Sequence, residues 1–141
     1  MTTIPTKRTG GCLCGEVRYE VEGDPFSFAV CHCANCRKTT GSAFMSNAFF
    51  KPEAITITKG SDKFKEYRDS ATTSGRTLTR TFCPECGSCL FMYNDSREFT
   101  IIPVGTLDEP VDWVPRRESR DDARFSWVKE LQIEHKLKST L

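Results

Sequence analysis

Apolar and polar residues alternate strictly over residues 16–22. Val17, Tyr19 and Val21 are separated by Arg18 and Glu20, the period of a strand with one face in a core. Gly23-Asp24-Pro25 marks a turn. The run from Phe26 to Val30 predicts a second strand, which delivers the chain into Cys31. Residues 37–41 read as a tight turn or one helical turn ended by Gly41. The apolar, aromatic stretch 43–50 predicts a strand leading away from that turn. Further strands are expected at 55–58, 63–67, 76–82, 90–93 and 99–102. Residues 70–75 form a small, polar loop, and 105–110 a turn-rich connection. The charged run 115–122 reads as a solvated face, residues 125–128 as an apolar segment docked on a sheet, and 130–141 as a short helix. Internal repeats and linkers are absent, so the pattern is that of one mainly β domain.

Charge narrows the partners. Lys plus Arg number 20 against 19 Asp plus Glu, for a formal charge of +1. That balance gives no electrostatic footprint for nucleic acid. The first ten residues carry no apolar run of a signal peptide, and nothing approaches the length of a membrane-spanning helix. The expectation is an intracellular, cytoplasmic protein with no nucleic-acid and no membrane partner. Its oligomeric state is not legible in the sequence.

The eight cysteines change the picture most. They fall at Cys12 and Cys14, at Cys31, Cys33 and Cys36, and at Cys83 and Cys86, with Cys89 three residues further on. Without an export signal, disulfides are the weaker reading. A disulfide within Cys-x-Cys is strained, whereas one metal ion spans such a pair easily. Two groupings compete. Cys12 and Cys14 can join Cys83 and Cys86, leaving the middle trio as a second site. Alternatively, Cys33 and Cys36 can join Cys83 and Cys86 as in a zinc ribbon. The first uses seven thiols without remainder and is preferred. Four thiolates close a structural zinc, while three leave a position open for chemistry.

Gly10-Gly11-Cys12-Leu13-Cys14-Gly15-Glu16-Val17-Arg18-Tyr19 resembles the opening of the glutathione-dependent formaldehyde-activating enzyme (GFA) family. Cys31-His32-Cys33-Ala34-Asn35-Cys36-Arg37-Lys38 with Gly41-Ser42 resembles its second motif. Phe82-Cys83-Pro84-Glu85-Cys86-Gly87-Ser88 with Leu90-Phe91 resembles its third. Centromere protein V belongs to the same superfamily. The resemblance implies a mainly β, β-tent-like zinc-binding fold of several antiparallel sheets. It implies a catalytic domain over residues 10–131, with 1–9 and 132–141 as terminal extensions. It also implies two zinc ions: a structural one on Cys12, Cys14, Cys83 and Cys86, and a catalytic one on Cys31, Cys33 and Cys36. The implied activity is that of a carbon–sulfur lyase of the S-(hydroxymethyl)glutathione synthase type, acting on glutathione or another small thiol and an aldehyde. Three thiolates weaken the acidity of a zinc ion, which favours exchange of a substrate thiolate over activation of water.

Other residues are weighed against plainer roles. His32 lies between two expected ligands, and in an extended Cys-x-Cys it points the opposite way. His135 reads as a surface residue, and Cys89 as a buried extra thiol. Arg37 and Ser42 are the candidate substrate contacts, because glutathione carries two carboxylates. Trp113, Trp127 and the ten Phe residues read as core. The rival functions are a non-catalytic binding module with both metals structural, a nucleic-acid-binding zinc domain, and a redox pair of Cys86 with Cys89.

Overall fold

The alternating segment is β2 (Arg18–Glu22), and Tyr19 and Val21 on it are fully enclosed. A computed structural model describes residues 6–131 and 133. β2 pairs antiparallel with β1 (Lys7–Gly11) on one side and β5 (Ile55–Lys59) on the other, making a three-stranded sheet. Strand pairing thus begins at Lys7, ahead of residue 10. Gly10 on β1 is held to glycine by crowding. A Cβ there would lie 2.5 Å from both the Thr106 carbonyl oxygen and the Tyr19 ring.

The second sheet has seven strands. These are β3 (Ser27–Cys31), β4 (Met45–Phe50), β6 (Lys65–Asp69), β7 (Leu78–Phe82), β8 (Cys89–Asn94), β9 (Thr100–Pro103) and β10 (Arg117–Ser119). Their order is β10-β3-β4-β9-β8-β7-β6. All neighbours are antiparallel except β10, which lies parallel to β3. The expectation of antiparallel sheets is corrected at that one edge. The chain leaves β9, crosses the molecule and returns to β3 from the other end, so it can only pair in parallel.

β10 also corrects the reading of the charged run 115–122 as solvated. Its three residues are half-buried, and Glu118 faces the enclosed imidazole of His32. Charge alternation on a three-residue edge strand looks like a surface until its partner strand is in place.

The two sheets lean together over one core. Val17, Tyr19 and Val21 pack against Ala48, Phe50, Leu90, Phe91 and Ile102 of the larger sheet. Cys12 and Cys83 sit in the same cluster. A second cluster of Cys36, Met45, Met92 and Ile101 lies on the other face of the larger sheet. Trp113 is packed against the first core, but Trp127, Phe26 and Phe125 are 69%, 49% and 38% exposed, which corrects their assignment to the interior. Of residues 125–128, Val128 is the buried one. The expected helix over 130–141 and His135 lie outside the described residues, apart from the first residues of that range. No helix among the described residues is long and apolar enough to cross a membrane.

Candidate functional site

Two groups of thiols converge. Cys12, Cys14, Cys83 and Cys86 form one, and Cys31, Cys33 and Cys36 the other; within each group all sulfurs lie within 4.8 Å of one another. The four-thiol group joins two turns. Gly15 N–H donates to the Cys12 carbonyl oxygen at 3.2 Å, and Gly87 N–H to the Cys83 carbonyl oxygen at 2.7 Å. Gly87 has φ +76°, a conformation that tightens the turn so Cys83 and Cys86 face one point. Ser88 ties the turns together. Its Oγ accepts from Leu13 N–H at 2.9 Å and lies 3.2 Å from Cys86 Sγ. That hydroxyl contact holds the Cys86 thiol down to about 5.

The three-thiol group sits where β3 meets α1 (Ala34–Thr40). Cys31 ends the strand and Cys33 caps the helix, its sulfur accepting from Cys36 N–H at 3.4 Å. Cys33 and Cys36 are three residues apart across the first helical turn, so they share a face. Hydrogen bonding with Cys36 draws the Cys31 thiol down to about 5, and the same contact pushes Cys36 up.

The sulfur spacings test whether a metal fits. A tetrahedron of thiolates about 2.3 Å from zinc has edges of about 3.8 Å. Cys12–Cys14 is 3.6 Å, Cys14–Cys83 is 3.7 Å and Cys31–Cys33 is 3.3 Å. Both clusters are therefore compatible with a bound metal ion. Among the described residues no His, Asp, Glu or further Cys completes the trio. His32 is fully enclosed on the other side of the chain, its Nε2 2.8 Å from Glu118 Oε1 and its ring against Phe44. Cys89 belongs to neither cluster and is half-buried rather than enclosed, which corrects its reading as a buried thiol; its sulfur contacts the Thr39 carbonyl oxygen at 3.1 Å.

The trio opens into a cavity of about 500 Å³. This lies within the range of small-molecule sites. Its floor is the second face of the larger sheet, and its rim includes Thr72, Thr73 and Ser74. Four arginines line it: Arg76, Arg80, Arg117 and Arg120. Arg80 is the most enclosed, and its Nε donates to Asp69 at 2.9 Å. Asn35, between the two helical thiols, donates from Nδ2 to both Asp69 oxygens at 3.1 and 2.9 Å. Burial opposes ionisation of Asp69, but these donors hold its carboxyl below the usual range. Asn35, Asp69 and Arg80 thus brace the helix that carries Cys36.

Arg37 and Ser42 do not line this cavity. They border a shallower depression with Lys38, Phe125 and Trp127. Arg37 stacks over Phe125 at 4.8 Å and donates from Nε to the His32 carbonyl oxygen at 3.2 Å. One helical step of about 100° separates Arg37 from Cys36, which turns it away from the cavity. Sequence reasoning did not single out Arg80 or Asn47, and it read Arg117 and Arg120 as part of a solvated run, because strands distant in sequence bring this wall to the trio.

Residues 7–122 match the family described as glutathione-dependent formaldehyde-activating enzyme. A Halomonas elongata protein, provisionally named as such an enzyme, is 30% identical over 113 residues, spanning 77% of this chain and 70% of that protein. A crystal structure of a Rhodobacter sphaeroides protein shares the fold, with a TM-score of 0.59 at 22% identity over 74% of this chain and 91% of that one. The fold, the two thiol clusters and the match over most of the chain agree: this protein belongs to the glutathione-dependent formaldehyde-activating enzyme family.

Proposed function

We propose that the protein is a zinc-dependent carbon–sulfur lyase that joins a small thiol to an aldehyde, or releases them, with glutathione and formaldehyde as the favoured pair. The observation that carries the reading is the three-thiol cluster at the head of an arginine-lined cavity. Cys31, Cys33 and Cys36 would hold the working metal, and Cys12, Cys14, Cys83 and Cys86 the structural one. When bound, zinc lowers the pKa of a coordinated thiol and polarises a carbonyl oxygen. The chemistry adds S–H across C=O: the carbon–sulfur bond forms as the carbonyl π bond opens, and the thiol proton ends on the former carbonyl oxygen.

The chain's own contribution is to bind and orient. The arginines give the cavity a positive wall suited to an anionic thiol. The Asn35–Asp69–Arg80 contacts fix the helix bearing Cys36. Arg37 acts from behind, through the His32 carbonyl. A trio with no fourth protein ligand among the described residues favours this reading over a module with two closed metal sites. The domain expected over residues 10–131, extended back to Lys7 by β1, would then carry the catalytic site.

Calorimetric titration of glutathione into the zinc-loaded protein tests the proposal, with Cys36→Ser as control. Saturable binding that the variant loses, together with accelerated exchange between free formaldehyde and its glutathione adduct by NMR, is the expected result. Binding that survives in Cys36→Ser would falsify the placement of the thiol.

A further inference from the structure

On the cavity floor Ala29 of β3 lies level with Arg117 of β10 on one side and Asn47 of β4 on the other. Cys31 is two residues further along β3, on the same face of the strand. Neighbouring strands are about 4.8 Å apart, so Arg117 and Asn47 face each other across about 10 Å of backbone with a methyl group between them. All four residues line the cavity.

Each flanking side chain has one enclosed polar atom without a hydrogen-bond partner. Arg117 is half-buried, held by the Ser27 hydroxyl at 3.1 Å and the Phe49 ring at 5.2 Å. Its Nε is enclosed without an acceptor, and it forms no ion pair among the described residues. Burial draws its pKa below the ordinary arginine value. The other enclosed guanidinium of this wall, Arg80, is matched by Asp69, and Arg120 at the rim by Asp122. Asn47 is 7% exposed, and its Oδ1 has no donor. An enclosed N–H without an acceptor and a buried acceptor without a donor are both unfavourable. A ligand relieves both if it brings a carboxylate and an N–H at once.

We infer that Arg117 and Asn47 form a recognition subsite, in which Arg117 binds a carboxylate of the substrate thiol and Asn47 accepts from an amide N–H beside the sulfur-bearing carbons. The inference rests on the placement of the substrate sulfur at the trio. It adds to that reading the two residues that would distinguish a carboxylate-bearing N-acyl thiol from one without the carboxylate. Ala29 belongs to the device, because a larger side chain there would fill the space between the two groups.

Two thiols differing only in the carboxylate test this: N-acetylcysteine and N-acetylcysteamine, titrated calorimetrically into the zinc-loaded full chain. The wild type is expected to prefer N-acetylcysteine by about ten- to a hundredfold, the worth of a hydrogen bond to a charged group. Arg117→Met is expected to erase that preference by weakening N-acetylcysteine alone, while Arg117→Lys retains part of it. Asn47→Leu is expected to weaken both thiols alike. Melting curves confirm that each variant folds; if Arg117→Met does not, a preference in Arg117→Lys as large as that of the wild type overturns the subsite. Equal binding of the two thiols to the wild type, or a preference that survives in both Arg117 variants, overturns the subsite. If neither thiol binds the wild type, or Cys36→Ser binds both as well as the wild type does, the placement of sulfur at the trio fails and the subsite falls with it.

Discussion

Glu118 Oε1 lies 2.8 Å from Nε2 of the fully enclosed His32, directly behind the strand end that carries Cys31. The same carboxylate receives Arg124 at 2.6 Å, and His32 N–H donates to the Ser119 carbonyl oxygen at 3.0 Å. The thiol segment is thereby fastened to β10 by side chain and backbone together. The strand alternates: Glu118 serves the imidazole on one side, while Arg117 and Ser119 face the cavity on the other.

Replacing Glu118 by alanine leaves two donors unmatched, one of them fully buried. The expected cost is about 1 to 3 kcal/mol of folding stability. Glu118→Gln keeps an acceptor and should cost less. Urea denaturation of the three proteins checks the order, and an alanine variant as stable as wild type would remove the pair from the account.

The two thiol clusters should respond differently to serine. Cys12 and Cys83 are buried in the core shared by both sheets. Cys83→Ser is expected to lower the melting temperature sharply and to make the fold sensitive to chelators. Cys36→Ser should leave most of the fold intact and remove one metal equivalent. Elemental analysis alongside thermal melts separates the cases, and equal destabilisation by both substitutions would contradict the division.

Asp69 and Arg80 form an ion pair with side chains 8% and 10% exposed. Breaking such a pair from one side costs about 3 to 5 kcal/mol, because a charge is left buried. Asp69→Asn is expected to fall near that range and to loosen Asn35, which also holds Asp69. A chemical melt measures the stability. Amide exchange in α1 should rise, and unchanged protection there would separate the pair from the helix.

Asp108 supplies a dependence on pH. Hydrogen bonding from Arg18, aided by the Thr9 hydroxyl, holds its carboxyl down to about 2. A folded-state pKa below the unfolded value of about 3.9 gives stability that is complete above about pH 5. It is lost as pH falls from about 4 towards 2. The pair is partly exposed, so its worth is at most about 1 kcal/mol. Asp108→Asn should therefore be slightly less stable than wild type at pH 7, with the gap closing below pH 4. A gap that widened in acid would reverse the assignment.

The cysteine groups were legible in the sequence because metal-ligand spacing is a local property: Cys31, Cys33 and Cys36 fit within a strand end and one helical turn. β2 was legible because alternation at Val17, Tyr19 and Val21 reports burial on one face. β10 was not, since Arg117-Glu118-Ser119 owes its burial to β3, and the cavity wall was missed for the same reason. Asn47, Asp69 and Arg80 meet the trio only through pairing of distant strands, which leaves no mark at short range. Arg37 was drawn to the site by proximity in sequence, but helical rotation carries it elsewhere. Trp127 shows the limit of composition, as a large apolar ring left largely in solvent.

The spacing of the two clusters along the chain also orders their birth. All three thiols of the trio leave the ribosome within six residues of one another. The other cluster waits, with 69 positions separating Cys14 from Cys83. While the intervening strands are being made, Cys12 and Cys14 have no partners and the trio is already complete. On the proposed metal sites, a nascent chain would complete the thiols for one ion long before those for the other, and metal scarcity during synthesis would leave chains loaded at the trio with their two sheets unfastened.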